Sequence, residues 1–181
     1  MAFKINNNGI LHLQDVEGLR LRAYDDAQPS VKITSKAQVK GTLTIGYGHT
    51  KTVTVGQTIT KAKAVDLMKV DLTFFEAQVN KMVTAPITVN MYNALVSFCY
   101  NVGEGGFKKS KVLENTNKRK YKEAAQAFYN WTKPEGLIVR RKKEYDLYLQ
   151  DYTVLKYEYT KKKVNGNLFF DIVKLGLIFS L

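Results

Sequence analysis

Two acids open and close the run Glu17-Gly-Leu-Arg-Leu-Arg-Ala-Tyr-Asp-Asp26, nine positions apart. Their types suit one chemistry in particular. Cleaving a glycosidic bond takes a protonated carboxylic acid to protonate the leaving oxygen, and an ionised carboxylate on the other face of the sugar to activate water or attack directly. A carboxyl walled by apolar side chains at a helix end has its charged form disfavoured, whereas one in a polar turn stays ionised. Glu17 fits the first role and Asp26 the second. Downstream, Gly41-Thr-Leu-Thr-Ile-Gly-Tyr-Gly-His-Thr50 is a β-branched run in which Gly46 and Gly48 bracket Tyr47. Glycines so placed mark a bulge or a close backbone approach. On that strand Thr44 offers a hydroxyl able to hold the attacking water. The same residues would be equally satisfied as a solvated surface helix and turn, and spacing alone does not choose.

The elements that must position these groups follow from periodicity. Asn8 is expected to cap a helix running to about Arg20, with Ile10, Leu11, Leu13 and Val16 on its apolar face. Residues 21–57 carry strand and turn residues and predict a small antiparallel sheet, with 28–40 as a loop or extra hairpin. From Thr60, an N-cap, apolar residues recur every three or four positions through Met82, so a long helix ends before Pro86. Thr88 caps the next, whose stripe of Met91, Leu95, Phe98 and Cys99 reads as core and which Asn101–Gly106 should end. Shorter helices are expected around 110–115, 120–129 and 135–150, with Trp131 as a core anchor. The tail differs. Alternation over Tyr152–Tyr159 and the Asn165-Gly166 pair predict a β-hairpin; an amphipathic helix over 168–181, lying on a membrane surface, is the alternative.

Length and composition set bounds. The chain has 181 residues, 45% hydrophobic and 24% charged, with a formal net charge of +12. That is a folding composition with room for one domain or two small lobes. The charge is uneven: from Lys108 to Glu144 there are twelve Lys or Arg against four Glu. A field of that sign favours polyanions such as nucleic acid, anionic lipid or bacterial wall polymers. One cysteine excludes an internal disulfide, and Cys99 in its apolar run reads as a buried hydrophobe rather than a nucleophile. Two unclustered histidines, His12 and His49, make a metal site improbable. Neither a signal-peptide core nor a stretch of about twenty apolar residues is present, so accumulation in the cytosol is expected.

Four motifs in order, Glu17 to Asp26, Thr44-Ile-Gly-Tyr-Gly-His49, Ala94-Leu-Val-Ser-Phe-Cys-Tyr-Asn-Val-Gly103 and Gly136-Leu-Ile-Val-Arg-Arg-Lys-Lys-Glu144, resemble the phage-type lysozymes, the endolysins of glycoside hydrolase family 24. The resemblance spans roughly residues 8 to 150. It implies an α+β lysozyme-like fold, with a small β lobe over about 18–59 and a helical lobe over about 60–150 packed with the N-terminal helix. Residues 151–181 would be an extension of unassigned role. The implied reaction is hydrolysis of the β-1,4 links between N-acetylmuramic acid and N-acetylglucosamine in peptidoglycan. Glu17 would be the general acid, Asp26 the base or electrostatic partner and Thr44 the water-positioning group, with no cofactor. Positions matching Thr50, Tyr100 and Ser110 line the sugar cleft in the family, and His49 matches a structural histidine bonded to a carboxylate. A monomer that waits in the host cytoplasm for a holin to open the membrane, and that has no specific nucleic-acid partner, is also implied. Compact members place the threonine six residues after the aspartate, whereas here the interval is 18, about twelve residues longer. That insertion leaves a choice between Asp25 and Asp26, with Asp25 read as a solvated turn residue. A non-catalytic wall-binding module, a nucleic-acid binder and a lytic transglycosylase are the competing readings.

Overall fold

The computed structural model describes residues 2–155. In chain order the elements are α1 (Asn7–Glu17), β1 (Arg20–Asp25), β2 (Leu43–Gly46), α2 (Lys61–Met82), α3 (Val89–Lys109), α4 (Lys111–Asn117), α5 (Tyr121–Ala127) and α6 (Leu137–Leu149). The chain has two compact units, one formed by Leu13–Phe74 and the other by Met1–His12 with Phe75–Leu181, with the boundaries inside α1 and α2.

The first unit is built on the β1–β2 ladder, antiparallel, with Tyr24 opposite Thr44 and Asp25 opposite Leu43 and a bulge between Arg20 and Tyr24. The chain at 57–59 adds to its other edge, since Ala23 donates to the Gln57 carbonyl at 2.9 Å and Ile59 to that of Leu21 at 2.9 Å. The expected strand over 42–50 is shorter than the β-branched pattern suggests. Ile45 and His49 exchange both backbone hydrogen bonds at 2.9 Å, closing a tight turn in which Gly46 has φ +68° and Gly48 φ +89°. The two glycines are required by the turn, because side chains with a Cβ rarely adopt positive φ. Residues 28–40 form a loop with one 3-10 turn at Lys36–Gln38, not a hairpin.

In the second unit, residues Asn90 to Cys99 of α3 are buried on every side. Phe98 meets Phe107, Phe128 and Trp131 edge-on at 6.3, 5.1 and 5.7 Å between ring centroids, the offset geometry that ring quadrupoles favour. Cys99 lies in this core, and burial followed by the charge of Glu104 pushes its thiol up to about 12. Here too lies a buried polar network. The Ser97 hydroxyl donates to Glu144 Oε1 at 2.8 Å, Arg140 Nε to the same oxygen at 3.0 Å and Arg141 Nε to the Trp131 carbonyl at 3.0 Å, while Arg141 also contacts Glu144 Oε2 and Asn101 Oδ1. Arg141 and Glu144 are wholly shielded from solvent. Burial raises the Glu144 carboxyl, and the two guanidiniums and Ser97 work against it.

Several boundaries shift. α1 starts at Asn7 because Asn6, not Asn8, is the cap, its Oδ1 accepting the Gly9 N–H at 3.2 Å. It stops at Glu17, where Gly18 turns the chain with φ +69°. Thr60, Thr88 and Ser110 cap as their side chains allow, accepting from Lys63, Met91 and Leu113 at 3.1 Å each. α3 does not end within Asn101–Gly106; Gly103 breaks it at φ 75°, and helical pairing resumes to Lys109. Residues 152–155 are helical rather than the start of a strand. The rest of the expected tail hairpin, and the alternative helix over 168–181, lie outside the described residues.

Candidate functional site

All three acid-and-hydroxyl candidates fall in the first unit. Glu17 is the last residue of α1, half-buried, and the left-handed Gly18 behind it redirects the chain into β1. Side chains alternate across a strand. At the end of β1 that alternation puts Ala23 and Asp25 inward and leaves Tyr24 half-buried and Asp26 exposed. Strand register therefore separates the paired acids, turning Asp25 inward and Asp26 outward. A cavity of about 410 Å³ is lined by Glu17, Gly18, Leu19, Arg20, Tyr24, Asp26, Pro29, Gly46 and Gly48. It brings Glu17 and Asp26 together and includes neither Asp25 nor Thr44.

Asp25 is not a solvated turn residue. It is wholly buried, and its carboxylate accepts the N–H groups of Ala27 at 3.1 Å, Lys40 at 2.6 Å and Gly41 at 2.9 Å and the Gln28 side-chain amide at 2.9 Å. Burial opposes its ionisation, but these donors together hold the carboxyl below its ordinary range. The insertion is thus tied off at its base. Just beyond the tie, Asp26 N–H donates to the Thr42 carbonyl at 3.1 Å and Thr42 N–H to Asp26 Oδ1 at 2.7 Å, so the ladder continues into the site and orients the Asp26 carboxylate. Gly41 is packed against this joint. A Cβ there would stand 2.7 Å from Ala27 Cβ and 2.8 Å from Asp25 Oδ1, and closer still to Asp26 Oδ1.

Thr44 lies on β2, 4% exposed, and its hydroxyl donates to the Thr42 carbonyl at 3.1 Å. That donation leaves the oxygen's lone pairs as acceptors. His49 Nδ1 lies 2.7 Å from Asp71 Oδ2 on α2, the carboxylate partner expected for it. Thr50 follows on the exposed surface. The other two expected glycan residues belong to the second unit. Tyr100 is half-buried, its ring 5.0 Å from that of Phe75. Ser110 is 3% exposed, and its hydroxyl is engaged as the α4 cap and as a donor to the Phe107 carbonyl at 2.7 Å.

Two site residues went unnoticed in the sequence. The Arg20 guanidinium lies 5.6 Å from the centre of the Tyr24 ring, and both line the cavity. Burial raises the Tyr24 phenol, Arg20 opposes this, and the charges of Asp26 and Glu17 add to it. The phenol is therefore a neutral donor within the field of both carboxylates. The signal was present in the Ala-Tyr-Asp-Asp string, where Tyr24 shares the Asp26 face.

A family model described as phage lysozyme matches residues 14–144. The chain belongs to the phage lysozyme family. The endolysin of Salmonella phage P22 is 37% identical over 155 residues, covering 81% of this chain and 98% of that protein. The endolysin of Bacillus phage PZA is 38% identical over 151 residues, covering 80% of this chain and 55% of its own length. Among solved structures, a P22 lysozyme mutant superposes with a TM-score of 0.69 at 36% identity over 81% of this chain and 99% of that one. The muramidase domain of SpmX from Asticaccaulis excentricus gives 0.70 at 35% identity, over 81% and 97%. The fold is lysozyme-like, mostly helical with a small antiparallel sheet, and membership makes this phage lysozyme homologue a lysozyme-type glycoside hydrolase that degrades peptidoglycan. No helix among the described residues is long and apolar enough to cross a membrane.

Proposed function

We infer that the chain hydrolyses the β-1,4 bond between N-acetylmuramic acid and N-acetylglucosamine with Glu17, Asp26 and Thr44. The carrying observation is the shared cavity, which puts two carboxyl groups of unequal surroundings, one half-buried at a helix end and one exposed at a strand end, against the same space. In this reading Glu17 protonates the glycosidic oxygen. Asp26, oriented by Thr42 N–H, stabilises the positive charge developing on the sugar or takes the proton of the attacking water. That water donates to the Thr44 oxygen, which keeps a lone pair free of its bond to Thr42. Arg20 and the Tyr24 phenol supply donors on the same wall.

Thr50 and Tyr100 enter as glycan contacts, through an exposed hydroxyl and a partly exposed ring. Ser110 enters as the cap that fixes the α3–α4 corner. Residues 1–150 would form the catalytic domain, monomeric, with 151–181 as an extension. Retention in the host cytoplasm until a holin opens the membrane completes the reading; lysis on expression without membrane disruption would refute that part.

The decisive experiment is Glu17→Gln on purified peptidoglycan. General acid catalysis contributes about 10² to 10⁴ in rate. A loss of that size with unchanged Tm, and parent products bearing reducing N-acetylmuramic acid ends, is the expected result. Near-parent turnover by Glu17→Gln, or anhydro ends, would overturn it.

A further inference from the structure

The insertion between Asp26 and β2 has no part in the chemistry above, yet it is built with care. Its base is closed on the buried Asp25 by Lys40 and Gly41. Gln28 bridges its two limbs, donating from Nε2 to Asp25 Oδ2 at 2.9 Å and to the Gln38 carbonyl at 2.6 Å. Gln38 Oε1 in turn accepts from Thr34 N at 2.8 Å, Thr34 Oγ1 at 3.0 Å and Ser35 N at 3.2 Å. Ile33, 4% exposed, gives the loop an apolar foot. A loop whose polar groups are met internally is an ordered surface rather than slack chain.

Its position and charge then give it a task. Pro29, near the start of the loop, lines the cavity together with Glu17 and Asp26. Between Asp26 and Asp66 the chain has no acidic residue at all but six lysines. Three of them, Lys32, Lys36 and Lys40, stand exposed on the loop, and none has an ion pair among the described residues. An N-acetylmuramic acid held at the cavity carries a peptide stem on its lactyl group. The stem's carboxylates are fixed to the very strand being cut, so they accompany the substrate to this wall of the cavity.

We propose that residues 27–40 are a preordered basic arm that binds the peptide-stem carboxylates of the glycan strand held at the Glu17–Asp26 cavity, with Lys32, Lys36 and Lys40 as the cations. The arm rests on the hydrolase reading of that cavity and deepens it by naming what it selects: stem-bearing glycan over bare glycan. Ammonium groups on flexible stems suit carboxylates whose position varies along a cross-linked wall. The phosphates of secondary wall polymers share this chemistry and are the alternative source.

The test compares the full chain with Lys32→Gln/Lys36→Gln/Lys40→Gln and with the corresponding triple Arg variant. The substrates are peptidoglycan with its stems, the same glycan stripped of stems by an amidase, and stem-bearing walls with phosphate polymers kept or removed. Three exposed ion pairs predict a loss of about five- to tenfold in kcat/KM at low salt, carried by KM. It should appear on stem-bearing glycan only, be independent of the phosphate polymers, be absent in the Arg variant and shrink as salt rises. An equal loss on stripped glycan, no loss on either, or a loss that follows the phosphate polymers would overturn the proposal. Sedimentation of the Glu17→Gln chain with each glycan, with and without the lysine changes, reads stem-dependent binding without turnover. A failed hydrolase reading then leaves the arm still decided by binding.

Discussion

Gly41→Ala tests whether the tie at the base of the insertion positions Asp26. The new Cβ would stand 2.7 Å from Ala27 Cβ and 2.8 Å from Asp25 Oδ1, where contacts under 3.0 Å are essentially never found, and nearer still to Asp26 Oδ1. None of these neighbours is the free end of a long side chain. Asp25 is held by four donors, and Asp26 Oδ1 by Thr42 N–H at 2.7 Å. The Asp26 carboxylate must therefore retreat by on the order of 1 Å, a misplacement that costs about 10²-fold in rate. Overpacking adds about 1 to 3 kcal/mol of destabilisation, which for a chain of this size lowers Tm by roughly 2 to 12 °C. The assay is peptidoglycan hydrolysis well below the variant's Tm, so that loss of rate is not loss of folded protein. Gly105→Ala is the control. A Cβ there meets nothing within 4 Å, and in a helix it should raise Tm slightly and leave hydrolysis within about twofold. Gly41→Ala with parent kcat and Tm would refute the claim that this joint sets the Asp26 geometry.

Two further predictions concern stability. Glu114, held down to about 2 by Lys111 and Lys118, and Asp25, held below its ordinary range by its donors, bind protons more weakly folded than unfolded. Their contribution is present above the ordinary carboxylate values and is lost as pH falls through the folded ones. The urea midpoint should fall between about pH 4.5 and 2, and fall less steeply in Asp25→Asn/Glu114→Gln; an identical slope would count against both assignments. Glu144→Ala strips Arg140 and Arg141 of their buried counter-ion. Removing one partner of such a group costs about 3 to 5 kcal/mol, a fall in Tm of roughly 6 to 20 °C, measured by thermal denaturation. A change under 2 °C would show that water already screens the cluster.

What could be read from the sequence was what depends on near neighbours. The caps at Thr60 and Thr88 act across three residues, and the α2 and α3 stripes repeat every three or four, so local pattern sufficed. The start of α1 lies two residues before the expected one, because Asn6, Asn7 and Asn8 are all able caps and only the fold selects Asn6. Past Gly46 the pattern misleads, because Ile45, Tyr47 and His49 continue an extended-looking alternation through a turn that only the glycine backbone reveals. Charge was the least transparent. Arg140, Arg141 and Glu144 count toward the basic third yet sit buried against one another, so the surface field there is smaller than the composition suggests.

Asp25 and Asp26 show where such reading stops and what replaces it. Adjacent identical residues have the same composition, propensity and charge, so no local rule separates them. Strand alternation does, sending one carboxylate inward to the N–H groups of Lys40 and Gly41, 15 and 16 positions away, and the other outward with Tyr24 to the cavity. The inward acid also explains how a loop roughly three times longer than in compact relatives is tolerated between two site residues. Closing it costs only about 1 kcal/mol more in chain entropy, and because the closure is made at Asp25, the register of Asp26 against Thr42 does not depend on what the loop contains. The residues between were therefore at liberty to acquire lysines without moving the acid beside them.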